Sequence, residues 1–277
     1  MKFGICCGPT SLGSEGEAPA SAVARLTAAM SAAGTDYLEF PVAAVAPGGD
    51  RAKFEALRDA FSLSPALQVE AFNSFLPGHH KVVGPDVDLG SVLGYCRSAL
   101  LRCSQLGGKV VVLGSAGARR VPDGFDVKDA QNQFIRFCRE LNPIAEEAAI
   151  DIAIEPLNAR EDNFLLSVEE GAKLVDKIKA SRIRLLADLY HMEEEGEAMQ
   201  SVANAGTRLA HTHLADKGRV APGFATNGEA DFIGFFRALR ASNYNARCSF
   251  EGTFQDIAMQ AKPSLDLMRQ RWQESAS

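Results

Sequence analysis

Glu155, Asp188, His213 and Glu251 each close a short apolar run, and they are of the residue types that hold divalent cations and move protons. Three carboxylates gathered at one place would repel and raise one another's pKa unless a cation lay among them. Three oxygen donors with one imidazole suit a hard or borderline ion that keeps positions open for a substrate. Mn2+, Co2+ or Mg2+ therefore fits better than a structural zinc. Taken singly, a Glu or Asp in such a place is more often a loop cap or a surface ion-pair partner. Four at successive run ends shift that balance.

The runs that must position them are Ile150 to Glu155, Ile183 to Asp188, Leu209 to His213 and Arg247 to Glu251, each too short for a globular helix and bounded by polar or turn residues. Roughly 20 to 35 residues separate consecutive runs, room for one helix and two loops. Helical periodicity occupies Ser167 to Ala180 and Ala230 to Ser242. The first half has the same rhythm. Strands are expected over Phe3 to Cys7, Tyr37 to Phe40, Leu67 to Phe72 and Lys109 to Leu113, with helices around Ala20 to Ala33, Arg51 to Phe61, Leu89 to Leu106 and Asp129 to Ala149. A last helix runs from about Gln255 to the C-terminus. Eight strands and eight helices in this length predict a (β/α)8 TIM barrel, one domain over residues 1–277. An open doubly wound sheet is disfavoured because Cys7 to Gly13 lacks the spacing of a Gly-rich phosphate turn. In a barrel, functional groups gather at the C-terminal ends of strands. Strand alternation then turns Glu155 with Ala153, His213 with His211, and Glu251 with Ser249 inward.

Composition narrows the function classes. The chain has 46% hydrophobic residues and a formal net charge of -6, with both signs interspersed, which suggests neither a nucleic-acid surface nor a polybasic membrane patch. No run has the length of a spanning helix, and the N-terminus lacks the pattern of a secretory signal, so a cytoplasmic location is expected. Six cysteines without a Cys-x-x-Cys pair read as reduced, mostly buried thiols. His211, a layer below His213, reads as a hydrogen-bonded interior group. His79 and His80, and the pair Arg119 and Arg120, read as solvated loop residues outside the site.

The segments Ile154-Glu155-Pro156-Leu157-Asn158, Asp188-Leu189-Tyr190-His191-Met192, His211-Thr212-His213-Leu214-Ala215-Asp216 and Ser249-Phe250-Glu251-Gly252 resemble the xylose-isomerase-like sugar isomerases and epimerases. Within that family the pattern is most similar to the ketose 3-epimerases, the tagatose and psicose epimerases. The resemblance implies a divalent-metal-dependent enzyme acting on a small keto-sugar, with Glu155, Asp188, His213 and Glu251 as metal ligands. It also implies Glu155 and Glu251 as the catalytic pair. In those epimerases the first metal glutamate is followed six residues on by a substrate-binding glutamate, as Glu155 is by Glu161. The metal aspartate precedes a substrate-binding histidine by three, as Asp188 precedes His191, and the metal histidine precedes an arginine by six, as His213 precedes Arg219. Members commonly pair, which implies a homo-oligomer. The first half, where those enzymes wall the sugar's end, matches poorly around Cys6 to Pro9 and Ala71 to Phe75, leaving the sugar open.

Inverting a carbinol carbon beside a ketone requires removal of a weakly acidic proton on one face and return of one on the other, and Glu155 and Glu251 on different strands can flank that carbon. Three other classes compete. A lyase of 3-keto-glycosides would begin with the same proton abstraction and release an aglycone. A non-catalytic sugar-binding barrel has no need of all four ligands. A repair endonuclease of related fold calls for more ligands and a basic face.

Overall fold

The computed structural model describes residues 1–12, 17–64 and 67–276. Eight parallel strands close into a barrel in sequence order: β1 (Lys2–Cys6), β2 (Tyr37–Pro41), β3 (Val69–Asn73), β4 (Val110–Leu113), β5 (Asp151–Ile154), β6 (Ile183–Asp188), β7 (Leu209–Leu214) and β8 (Arg247–Phe250). Closure is made by β1 on β8, with Phe3 opposite Cys248 and Ile5 opposite Phe250. Runs such as Val110-Val111-Val112-Leu113 become strands because β-branched residues suit a pleat buried on both faces.

Alternation divides the strand residues between two compartments. Tyr37, Ala71, Val110, Val112, Ala153 and Leu186 fill the barrel interior, while the opposite side chains pack under the surrounding helices. Those helices are α1 (Pro19–Ala33), α2 (Arg51–Ser62), α3 (Leu89–Gln105), α4 (Ala116–Arg119), α5 (Val127–Ala148), α6 (Val168–Ile178), α7 (Leu189–Glu195), α8 (Gln200–Ala205), α9 (Phe232–Ala241) and α10 (Ile257–Glu274). Side-chain oxygens start many of them: Asp126 accepts from the backbone N–H groups of Lys128 and Asp129 at 2.8 and 3.0 Å, and Ser167 accepts from Glu170 N–H at 3.1 Å.

The described residues hold ten α-helices where eight were expected, because α4 is an extra turn after β4 and the β6–β7 connection is split into α7 and α8. Glu155 and Glu251 stand one residue beyond the ends of β5 and β8, whereas Asp188 and His213 lie inside β6 and β7. All six cysteines are free, and Cys6 alone of them is not buried. No described helix is long and apolar enough to cross a membrane.

Candidate active site

The four residues that end the second-half strands come together. One donor atom from each of Glu155, Asp188, His213 and Glu251 lies within 4.8 Å of the other three. His213 Nδ1 is 3.2 Å from Glu155 Oε1 and 3.7 Å from Glu251 Oε2. Asp188 Oδ1 caps α7 by accepting from Tyr190 N–H at 2.9 Å, and Oδ2 lies 3.6 Å from His191 Nε2. Gly114, at the end of β4, leaves the space Glu155 needs, since a Cβ there would stand 2.2 Å from Glu155 Oε2.

The electrostatics are those of a site short of positive charge. Burial, and then the neighbouring Glu155 and Asp188 carboxylates, pushes Glu251 up to about 7. Burial likewise raises Asp188, with Glu155 adding to it. For Glu155 burial is outweighed by its hydrogen bond and charge interaction with His213, which lower it. Burial would lower His213, but the carboxylates around it, Glu39 and Glu251 foremost, hold the imidazole well above its ordinary range. A divalent cation fits this donor set: three carboxylates and one imidazole nitrogen converge where no described cation other than Arg219 reaches them.

Beneath the cluster lies a carboxylate that the sequence reading did not single out. Glu39 on β2 is fully buried, with Oε1 2.9 Å from His213 Nε2 and Oε2 2.8 Å from His211 Nε2. Ser249 Oγ donates to Glu39 Oε2 at 2.5 Å and lies 2.7 Å from the Tyr37 hydroxyl. Burial would raise Glu39, but the two imidazoles and their hydrogen bonds hold it well below the usual carboxylate range. Glu39 is therefore an anion, and an anion accepts N–H from both rings. With Nε2–H given to Glu39, the proton that His213 must lose to bind a cation is the one on Nδ1, and its loss leaves a lone pair facing the cluster. His211, lowered by burial, is the interior group expected of it. The available signal for Glu39 was a charged residue inside the apolar run Tyr37 to Phe40, since a carboxylate is almost never fully buried without partners.

The matching family model, the xylose isomerase-like TIM barrel, spans residues 27–271. The chain belongs to that family. Over 118 residues it is 34% identical to a D-psicose 3-epimerase of Enterocloster bolteae, an alignment covering 42% of this chain and 38% of the relative. Over 134 residues it is 29% identical to the 3-dehydro-D-guloside 4-epimerase of Escherichia coli, covering 47% of this chain and 50% of the relative. The chain thus spans half or less of the length of these curated relatives. A solved D-psicose 3-epimerase with D-tagatose from Clostridium cellulolyticum superposes with a TM-score of 0.81 at 18% identity, covering 98% of this chain and 99% of the other, a likeness of fold.

The three flanking residues that the sequence pattern pointed to also stand beside the cluster. Arg219 donates from Nη2 to Glu251 Oε2 at 2.7 Å and from Nη1 to Glu161 Oε1 at 3.0 Å, with its guanidinium over the Tyr190 ring at 5.0 Å. Asn158 adds a group the sequence reading left out of the site: its backbone and side-chain N–H groups both donate to His191 Nδ1, at 3.2 and 2.9 Å. Nδ1 being an acceptor, the ring proton sits on Nε2, which is buried without a hydrogen-bond partner, 3.6 Å from Asp188 Oδ2. An unused buried donor beside a carboxylate cluster is suited to a substrate oxygen.

Arg119 departs from its expected solvation. It is fully buried, donating from Nε to Asp162 Oδ2 at 2.7 Å and from Nη1 to the Leu113 carbonyl at 3.0 Å. A loop arginine leaves water only where a buried carboxylate awaits it. Asp162 follows Glu161 directly, so the pair ties the loop after β5 to the end of β4. Arg120 beside it is exposed, as are His79 and, in part, His80.

Proposed function

We propose that this barrel is a divalent-metal-dependent epimerase of a small keto-sugar, with Glu155, Asp188, His213 and Glu251 holding the ion. The observation that carries the reading is the convergence of those four donors within 4.8 Å, with His213 turned by Glu39 so that its Nδ1 faces them. Bound there, Mn2+, Co2+ or Mg2+ supplies positive charge opposite the negative charge that develops on a carbonyl oxygen as the neighbouring proton leaves.

The protein's own groups do the rest. Glu155 and Glu251 reach the cluster from β5 and β8, so a carbon seated between them has a carboxylate on either side, one to take its proton and the other to return one. His191 offers its free Nε2–H to a sugar oxygen, and Asn158 fixes the ring in that tautomer. Glu161 and Arg219, joined at 3.0 Å, hold the sugar's hydroxyls and decide which carbon faces the carboxylates.

Proton exchange tests this directly. Metal-loaded protein incubated with ketoses and 3-keto-glycosides in deuterium oxide should place deuterium on the carbon beside the carbonyl, read by mass spectrometry. Glu155→Gln and Glu251→Gln should each reduce the rate by about a hundredfold or more. Exchange persisting at the wild-type rate in both variants refutes their roles. Release of an aglycone in place of exchange transfers the barrel to the lyases.

A further inference from the structure

The mouth is unequal on the two sides of the cluster. His191, Asn158 and Glu161 stand on the β5 and β6 side, whereas a cavity of about 370 Å³ opens among the ends of β8, β1, β2 and β3. Glu251 and Arg219 border that cavity; Glu155, Asp188 and His213 do not. We infer that the cavity is a subsite for a second, uncharged, hydroxyl-bearing group carried by the keto-sugar, so that the preferred substrate is a keto-glycoside with a further sugar ring rather than a free ketose. The inference rests on the epimerase reading above.

Size is the first argument. At about 30 Å³ each, about a dozen waters fit in 370 Å³. The tail of a ketohexose left over beyond its reacting carbons, about six heavy atoms, displaces only about a quarter of them, while a second ring, about twice that size, takes up about half. Charge is the second. The charged side chains lining the cavity are Arg219 and Glu251, already paired at 2.7 Å, and Arg219 is shared with Glu161 as well. No uncommitted cation is left among the described lining residues to meet a phosphate or carboxylate.

The lining chemistry is the third argument. Asn73, Ser74 and Thr253 present an amide and two hydroxyls for sugar oxygens, and Cys6 and Pro41 present apolar surface for the C–H face of a ring. The Cys6 thiol is hydrogen-bonded to Asn73. The side bearing Thr253 is held at a set distance. Its N–H donates to the Arg219 carbonyl at 2.8 Å and its carbonyl accepts from Ala221 at 3.2 Å. Only glycine fits at 252, where a Cβ would meet the Val220 carbonyl oxygen at 2.5 Å.

The test compares three substrates by deuterium incorporation on the metal-loaded wild-type protein: D-fructose, methyl 3-keto-glucoside and a 3-keto-disaccharide. The subsite predicts a kcat/KM at least tenfold higher for the keto-disaccharide than for either smaller compound. Thr253→Trp and Cys6→Phe, which fill the cavity from two sides, should each lower that ratio at least tenfold, so one folded variant suffices. A keto-disaccharide turned over no better than D-fructose, or a ratio unmoved by both variants, overturns the subsite and leaves the epimerase reading intact. Absence of exchange on all three compounds overturns both.

Discussion

Glu39 sets which way His213 faces the carboxylate cluster. As an anion it accepts an N–H from both His213 and His211, at 2.9 and 2.8 Å. A glutamine of the same shape has one acceptor oxygen and one NH2 group, so it can serve only one ring in that way. The other ring must reverse its tautomer or lose its partner, and for His213 reversal puts a proton on Nδ1 where the carboxylates converge. Glu39→Gln should therefore weaken Mn2+ binding by about 10- to 100-fold in isothermal titration. Unchanged affinity would show that Glu39 serves packing alone.

The loops of the mouth are held by pairings between elements. Arg119 on α4 and Asp162 after β5 are both completely buried and 2.7 Å apart, joining the connection after β4 to the one after β5 that carries Glu155 and Glu161. Removing one partner strands the other charge in a medium that solvates it poorly. Arg119→Met should cost about 3–5 kcal/mol in chemical denaturation, and the double change Arg119→Met with Asp162→Leu should recover most of it, because a well-packed apolar pair needs no solvation. A single variant within about 0.5 kcal/mol of wild type would mean that water reaches the pair.

At the scale of the whole barrel, stability should depend on the ion and on pH together. A ligand that binds only the folded chain at a hundredfold excess over its Kd adds about 2.7 kcal/mol. For a chain of this size that is about 5 °C or more in Tm. Glu251, with a carboxyl pushed to about 7, and His213, held above its ordinary range, both carry protons that an ion must displace. The Glu251 proton competes below about 7 and is gone above it, while the His213 proton persists to higher pH, so affinity rises with pH through that window and beyond. Calorimetry should show Mn2+ raising Tm more at pH 8 than at pH 6. Equal shifts at the two pH values, or none at either, would remove the proposed ion from the cluster.

By itself the sequence determined the barrel and the rim of its mouth. Apolar runs of strand length, helical periods between them and carboxylates or imidazole at the run ends are all local patterns, and a parallel barrel turns strand ends into neighbours whatever the loops do. Glu161, His191 and Arg219 were pointed to by the resemblance to the ketose 3-epimerases, in which residues at those spacings bind substrate. Only the tertiary structure decided the rest. Glu39 and His213 are 174 positions apart in the chain and meet across the barrel interior, from strands that are not neighbours. Arg119 and Asp162 are 43 apart and come together in a buried layer. The cavity beside Glu251 likewise exists because β8 closes on β1. A local pattern carries the burial of an apolar side chain, but a buried charge is stable only once its partner has arrived from elsewhere in the fold.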